Sequence, residues 1–353
     1  MLLLAVFLAV QTPVDSVALV TRDIPTFWRA YDLAAGKDST ERTHIFRTVY
    51  LQPGSPGLRD WMRVRLMNRD TVRARMIASG WTATGLDSLN RDSLERASTP
   101  FAEQSAAEEL LHALSAYPRY YAAVRARTLA VDTNFAIRQG IRQGLAKLAE
   151  LYPAARFPNI YFLIGTISTG GTTSRSGMLI GTEQSASGPE TPLDELPAWA
   201  QKGFPTHRFE SLVGLVVHEA VHTQQKSMPP GQHDTLLRHA LGEGIADFLS
   251  ELAVGPWAAN TPRQIYGRAH EHAVWVDFED EMEMASDSII RTWMYNGMVP
   301  PDKNHGAVDI GYWAGYRIAA AYYARAADKR AAVRQLLELR DPVAVLRESG
   351  YAP

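Results

Sequence analysis

Cysteine is absent from the 353-residue chain. Disulfides, thiolate metal ligands, cysteine nucleophiles and a lipidated N-terminal cysteine are therefore excluded. An excess of either charge is missing too: 36 Lys and Arg stand against 38 Asp and Glu, a formal net charge of −2. Nothing in that balance points to nucleic acid or acidic membranes as partners. No stretch after residue 10 is long and apolar enough to span a bilayer. The one apolar run, "MLLLAVFLAV" at 1–10, has the length of a signal peptide and is too short for a membrane span. It reads as an export signal cleaved within 1–18, with Ser16 and Ala18 forming an imperfect cleavage site. The mature chain is then expected outside the cytoplasm, periplasmic or extracellular, with no transmembrane span.

Residues 24 to 152 read as helices. "IPTFWRAYDLA" sets Phe27, Trp28 and Tyr31 at helical spacing, and "TNFAIRQGIRQGLAKLAEL" repeats Ile137, Ile141, Leu145 and Leu148 before Pro153 stops the run. The texture changes at 158. "NIYFLIGTISTGGTTSRSGMLIGTE" holds two apolar, β-rich runs, 160–164 and 178–181, joined by a polar, glycine-containing link, which predicts a hairpin or small sheet. Residues 182–210 read as a long loop with a short helical piece near "DELPAWAQ", placed to border a cleft. From 211 the chain reads as helices again. The expected fold is α+β and mainly α: a signal at 1–18, a helical region at 19–155, and a second region at 156–353 that is either separate or continuous with the first.

The chemistry concentrates in "ESLVGLVVHEAVHTQQ". Apolar residues at 212, 213, 215, 216, 217 and 221 predict a buried or half-buried helix. On a helix, His218 and His222 lie one turn apart on one face and can offer two imidazole nitrogens to one metal ion. Glu219 is rotated about 100° from His218, within reach of a water at the metal without being a ligand. This is the spacing that zinc-assisted hydrolysis uses. Gln225 is a candidate for a bond to the site from outside the ligand set.

A catalytic zinc usually takes three protein ligands. An extended HExxHxxGxxH pattern fails, because Gln225 and Met228 stand at its Gly and final His positions. "LGEGIADFLSEL" offers Glu243 instead. Asp247, four residues on and on the same face, can accept the second ring N–H of a ligand histidine. Gly242 and Gly244 cost about 1 kcal/mol each inside a helix, and close approach to the HEAVH helix is the expected reason for them.

These stretches resemble the gluzincins, zinc peptidases with HExxH and a downstream glutamate in an E-x-x-x-D setting. "YLQPGSPGL", "IYFLIGTISTGGTTSRSGMLIGTE", "HEAVHTQQ", "GEGIADFLSEL", "DIGYWAGYRIAAAYY" and the terminal "SGY" resemble more closely a bacterial family of Zn-dependent proteases of unknown function, related to the gliding motility protein B group. The chain departs from the gliding lipoproteins in having no lipobox cysteine. The resemblance implies a zincin-like fold with the strands beside the HExxH helix, and one of the runs 160–164 or 178–181 pairing with extended substrate. It implies one Zn2+ per chain on His218, His222 and Glu243, with Glu219 as general base and a peptide or protein as substrate. It also implies a Tyr or His oxyanion donor from a later segment. Tyr312, in the first turn of a helix for which Asp309 is the candidate N-cap, is the first choice; Tyr316, His270, His272 and His305 are alternatives. The competing expectation is an envelope assembly or scaffold protein that keeps the zinc, or only the fold, without turnover.

Overall fold

A computed structural model describes residues 14–206, 208–297 and 305–353. The run 1–10 lies outside them. The protein is α+β and mainly helical, and among the described residues no helix is long and apolar enough to cross a membrane. The chain forms two compact units. One holds Ala18–Thr133 and Asn159–Ala186; the other holds Asn134–Pro158 and Ser187–Pro353, with the described end of Met1–Val17. A cut at 155 divides the chain differently, since helix Phe135–Leu151 goes with the C-terminal segments and the strands go with the N-terminal ones.

The first unit carries a four-stranded sheet of β1 (Leu19–Val20), β2 (Ile160–Leu163), β3 (Gly171–Thr173) and β4 (Met178–Gly181), ordered β1-β2-β4-β3. The two apolar runs do not form a hairpin with each other. β2 and β4 pair parallel, Ile160 opposite Met178, and β3 in the link turns back antiparallel to β4. Parallel neighbours need a long connection rather than a tight turn. Both runs are buried along their whole length, which explains why they lack polar alternation. β4 has strand partners on both sides, whereas β2 is flanked by β1 only at Ile160 and Tyr161, so among the described residues 178–181 is not an edge and only Phe162 and Leu163 of the other run lack a partner on one side.

The same unit buries a carboxylate. Glu183 is 0% exposed. Its Oε1 accepts the N–H of Ile167, a β-branched residue held at φ 63°, while Oε2 has no hydrogen-bond partner among the described residues. Tyr50 and Tyr121 donate to the carbonyls of Ile164 and Gly165 in the same loop. Burial pushes the Glu183 carboxyl up to about 7, against the pull of backbone N–H groups.

In the second unit the HEAVH segment is helix Ser211–His222, as its apolar pattern predicts. It packs on helix Phe135–Leu151, where Gly140 and Gly144 leave room for Val213 and Val217. Helix Leu236–Val254 carries Glu243 and Asp247. Its close approach is to another helix than the HEAVH one. A Cβ on Gly244 would stand 2.1 Å from the backbone of Gly315, and one on Gly315 would stand 1.8 Å from the carbonyl of Ala240, so Leu236–Val254 touches helix Ile310–Arg325 backbone to backbone. Gly242 has nothing within 4 Å of its would-be Cβ.

Candidate metal centre

Three side chains converge from the two helices. His218 Nε2 and His222 Nε2 lie 3.0 Å apart, and Glu243 Oε2 lies 3.4 Å from the first and 3.2 Å from the second. Ligands at zinc distances and tetrahedral angles stand about 3.3 Å apart, so the three atoms fit one such ion. Among the described residues this is the one group of three or more His, Asp or Glu gathered closely enough to share a metal.

The outer ring nitrogens decide which inner atoms are available. Gln225 donates from Nε2 to the Gly242 carbonyl at 2.6 Å, which turns its Oε1 toward His222 Nδ1 at 2.8 Å. That oxygen can only accept, so the His222 proton sits on Nδ1 and the Nε2 lone pair faces inward. The open helix position at Gly242 matters here for its carbonyl, not for helix packing. His218 Nδ1 lies 2.9 Å from Asp247 Oδ1, as an ion pair rather than an aligned hydrogen bond. Asp247 is fully buried and takes Nη2–H of Arg263 at 2.9 Å on its other oxygen.

The electrostatics are those of a cation site. Burial pulls the His218 imidazole down, but Asp247 and Glu243 outweigh it and hold its pKa up at about 10. Burial would raise Glu243, yet His222 and His218 hold its carboxyl well below the usual carboxylate range. Asp247 is held low in the same way, by Arg263 and His218 against burial. Glu219 is buried and adds to the charge that raises His222. Three carboxylates around two imidazoles favour any positive charge placed between them.

Sequence reasoning missed three neighbours. Tyr295 donates its hydroxyl to Glu243 Oε1 at 3.1 Å and lies 3.5 Å from His239 Nδ1. It is 49% exposed, so part of its side chain meets solvent while its hydroxyl is held by the cluster. Its backbone is held at φ 56°. The Asn-Gly pair after it marks a turn, but nothing in the sequence ties that turn to the metal. Trp257 packs against Gly214 and meets the His218 ring edge-on at 6.1 Å. Arg263 is the third.

The expected oxyanion donors have other neighbours. The Tyr312 ring lies over the Arg263 guanidinium at 4.7 Å and edge-on to Tyr295 at 6.1 Å. Tyr316 donates to Glu251 at 2.8 Å. His270 packs on Tyr266, His272 Nδ1 lies 3.2 Å from the Pro353 carbonyl, and His305 stacks on Trp293 at 3.9 Å. Asp309 stands at the N-cap position of Ile310–Arg325 but makes no side-chain cap. Instead it accepts the Asn296 N–H at 2.9 Å while Asn296 Oδ1 accepts its own N–H at 2.8 Å, a reciprocal pair beside Tyr295.

The fold and this cluster define a mainly helical protein in which two histidines and a glutamate are gathered closely enough to hold a metal ion. The sequence model of the family described as gliding motility protein GldB matches residues 121–353, and the chain belongs to that family. The matched span contains every residue of the cluster. Neither curated proteins nor solved structures give a match.

Proposed function

We propose that this member of the gliding-motility family is a zinc-dependent peptidase that binds one Zn2+ on His218, His222 and Glu243. The observation that supports it most is the inward set of His218 Nε2, His222 Nε2 and Glu243 Oε2, 3.0 to 3.4 Å apart, with both Nδ1 atoms facing acceptors. When bound, zinc supplies a Lewis acid and an acidified water at neutral pH. Glu219 takes the proton of the attacking water and delivers it to the leaving amine. Tyr295, whose hydroxyl donates to Glu243 Oε1 in the absence of substrate, turns that one proton to the carbonyl oxygen as it gains charge, giving up the bond to Glu243. The reading includes export, for which the apolar run 1–10 is the support.

A second reading is favoured by the family match, whose description names motility and no hydrolase. In it the zinc braces the two helices of an envelope assembly protein and no bond is cut. One variant separates the two. Glu219→Gln removes the base and leaves the ligands. Zinc content near one per chain, with peptides released from a proteome digest by wild type and none by Glu219→Gln, supports the peptidase. Equal peptide profiles from both proteins, with zinc bound, favour the brace. No zinc uptake on titration rejects both.

A further inference from the structure

Arg263 lies in helix Pro262–Ala269, and only 18% of its side chain is exposed. Among the described residues its one hydrogen bond goes to Asp247 Oδ2. Tyr312 covers the guanidinium face, and the buried Nε has no hydrogen-bond partner among the described residues. A buried arginine with one carboxylate partner and an unsatisfied nitrogen contributes little stability compared with apolar packing. Its effect is better sought in what it does to Asp247.

Two consequences follow from the geometry. The terminal torsion of an aspartate is broad and weakly preferred. With Oδ2 tied to Arg263, Oδ1 is fixed toward His218 Nδ1, and the imidazole is oriented in turn. The second consequence is charge balance. Asp247 and Glu243 bring negative charge to the centre, and the Arg263 guanidinium is the cation that faces Asp247 from outside the His, His, Glu set. Without Arg263 the fully buried Asp247 carboxylate would lose its guanidinium partner, an expensive state in a low-dielectric interior.

We infer that Arg263 is a positioning residue of the metal centre, acting on His218 through Asp247. The inference rests on the zinc reading above. It gives Tyr312 a place as the cover of Arg263.

The test is zinc affinity by chelator competition, with thermal melting of the metal-free protein, on full-length wild type, R263K, R263Q, D247N and R263Q/D247N. R263Q is expected to lose about 10- to 100-fold in affinity, as losses beyond the ligands themselves do. R263K recovers part of it. D247N loses a similar amount, and the double variant loses no more than the larger single loss, because both residues act in one chain of contacts. The double variant also removes the unpaired buried carboxylate, so its melting temperature recovers from that of R263Q while its zinc affinity does not. If R263Q fails to fold, the double variant carries the comparison. Wild-type affinity in R263Q, losses that add in the double variant, or affinity that recovers together with melting temperature each overturns the inference and leaves the zinc reading standing. A wild-type protein that takes up no zinc overturns the zinc reading, and this inference with it.

Discussion

Glu243 divides its two oxygens between different partners: Oε2 faces both histidines, and Oε1 accepts the hydroxyl of Tyr295 at 3.1 Å. The residue that completes the metal cluster is thus also the one that holds Tyr295 at its rim. Tyr295→Phe is expected to keep zinc and to cut peptide turnover by about 100- to 1,000-fold, the usual cost of losing one oxyanion donor. Tyr312→Phe, whose ring still covers Arg263, is expected to change turnover far less. The opposite ranking of the two variants would return the donor role to Tyr312.

The histidines test the ligand set directly. His218→Ala and His222→Ala each remove one of three ligand atoms, and Glu243→Ala removes the third. Each is expected to drop bound zinc from near one per chain to a small fraction, read by elemental analysis after dialysis. Gln225→Ala, which frees His222 Nδ1, is expected to weaken binding by about 10-fold while keeping stoichiometry at high zinc. Zinc retained at full affinity in Glu243→Ala would mean the third ligand lies elsewhere.

The two helix glycines give opposite predictions. Gly244→Ala places a Cβ 2.1 Å from the Gly315 backbone, and backbone cannot rotate away, so a loss of about 3 kcal/mol or more is expected. Gly242→Ala meets nothing within 4 Å and is expected to be neutral or to stabilise by up to about 1 kcal/mol. Denaturant unfolding of the two proteins side by side reads the difference, and similar losses in both would contradict the helix contact.

Glu183 sets a pH dependence for the unit that carries the sheet. Its folded pKa, about 7, lies above the ordinary 4.5, so between these values the folded state binds more protons than the unfolded one. Stability is therefore highest at or below about pH 4.5 with respect to this group, and falls as pH rises toward 7, by on the order of 3 kcal/mol. Glu183→Gln mimics the protonated form. It is expected to flatten the fall in denaturant midpoint between pH 5 and pH 8. Parallel pH profiles for the two proteins would assign the titration to another group.

Much of this arrangement was readable from spacing. His218 and His222 share a face because four residues make one turn, and Glu243 and Asp247 share one for the same reason. The periodicity of the apolar residues also marked the helices that carry them. What spacing cannot show is which surface each face meets. Gly244 was legible as a point of close contact, but its partner is Gly315 and not the HEAVH helix. The runs 160–164 and 178–181 were legible as strands, but their parallel pairing depends on β3, whose three residues carry almost no apolar signal. Tyr295, Trp257 and Arg263 reach the centre from a turn, a loop and a short helix, where no period links them to the histidines.

Gly244 follows Glu243 directly in the chain and rests on the backbone of Gly315. A contact between side chains can absorb a small shift by changing rotamer; a contact between two main chains passes the shift on. The height of Glu243 above the histidines is thus gauged from a helix that adds no residue to the His, His, Glu cluster. On the zinc reading, substitutions on the far side of Ile310–Arg325 that nudge it sideways would register first as a weaker grip on the ion, before any loss of fold, and the freedom of that helix to vary would be limited by the coordination chemistry of its neighbour.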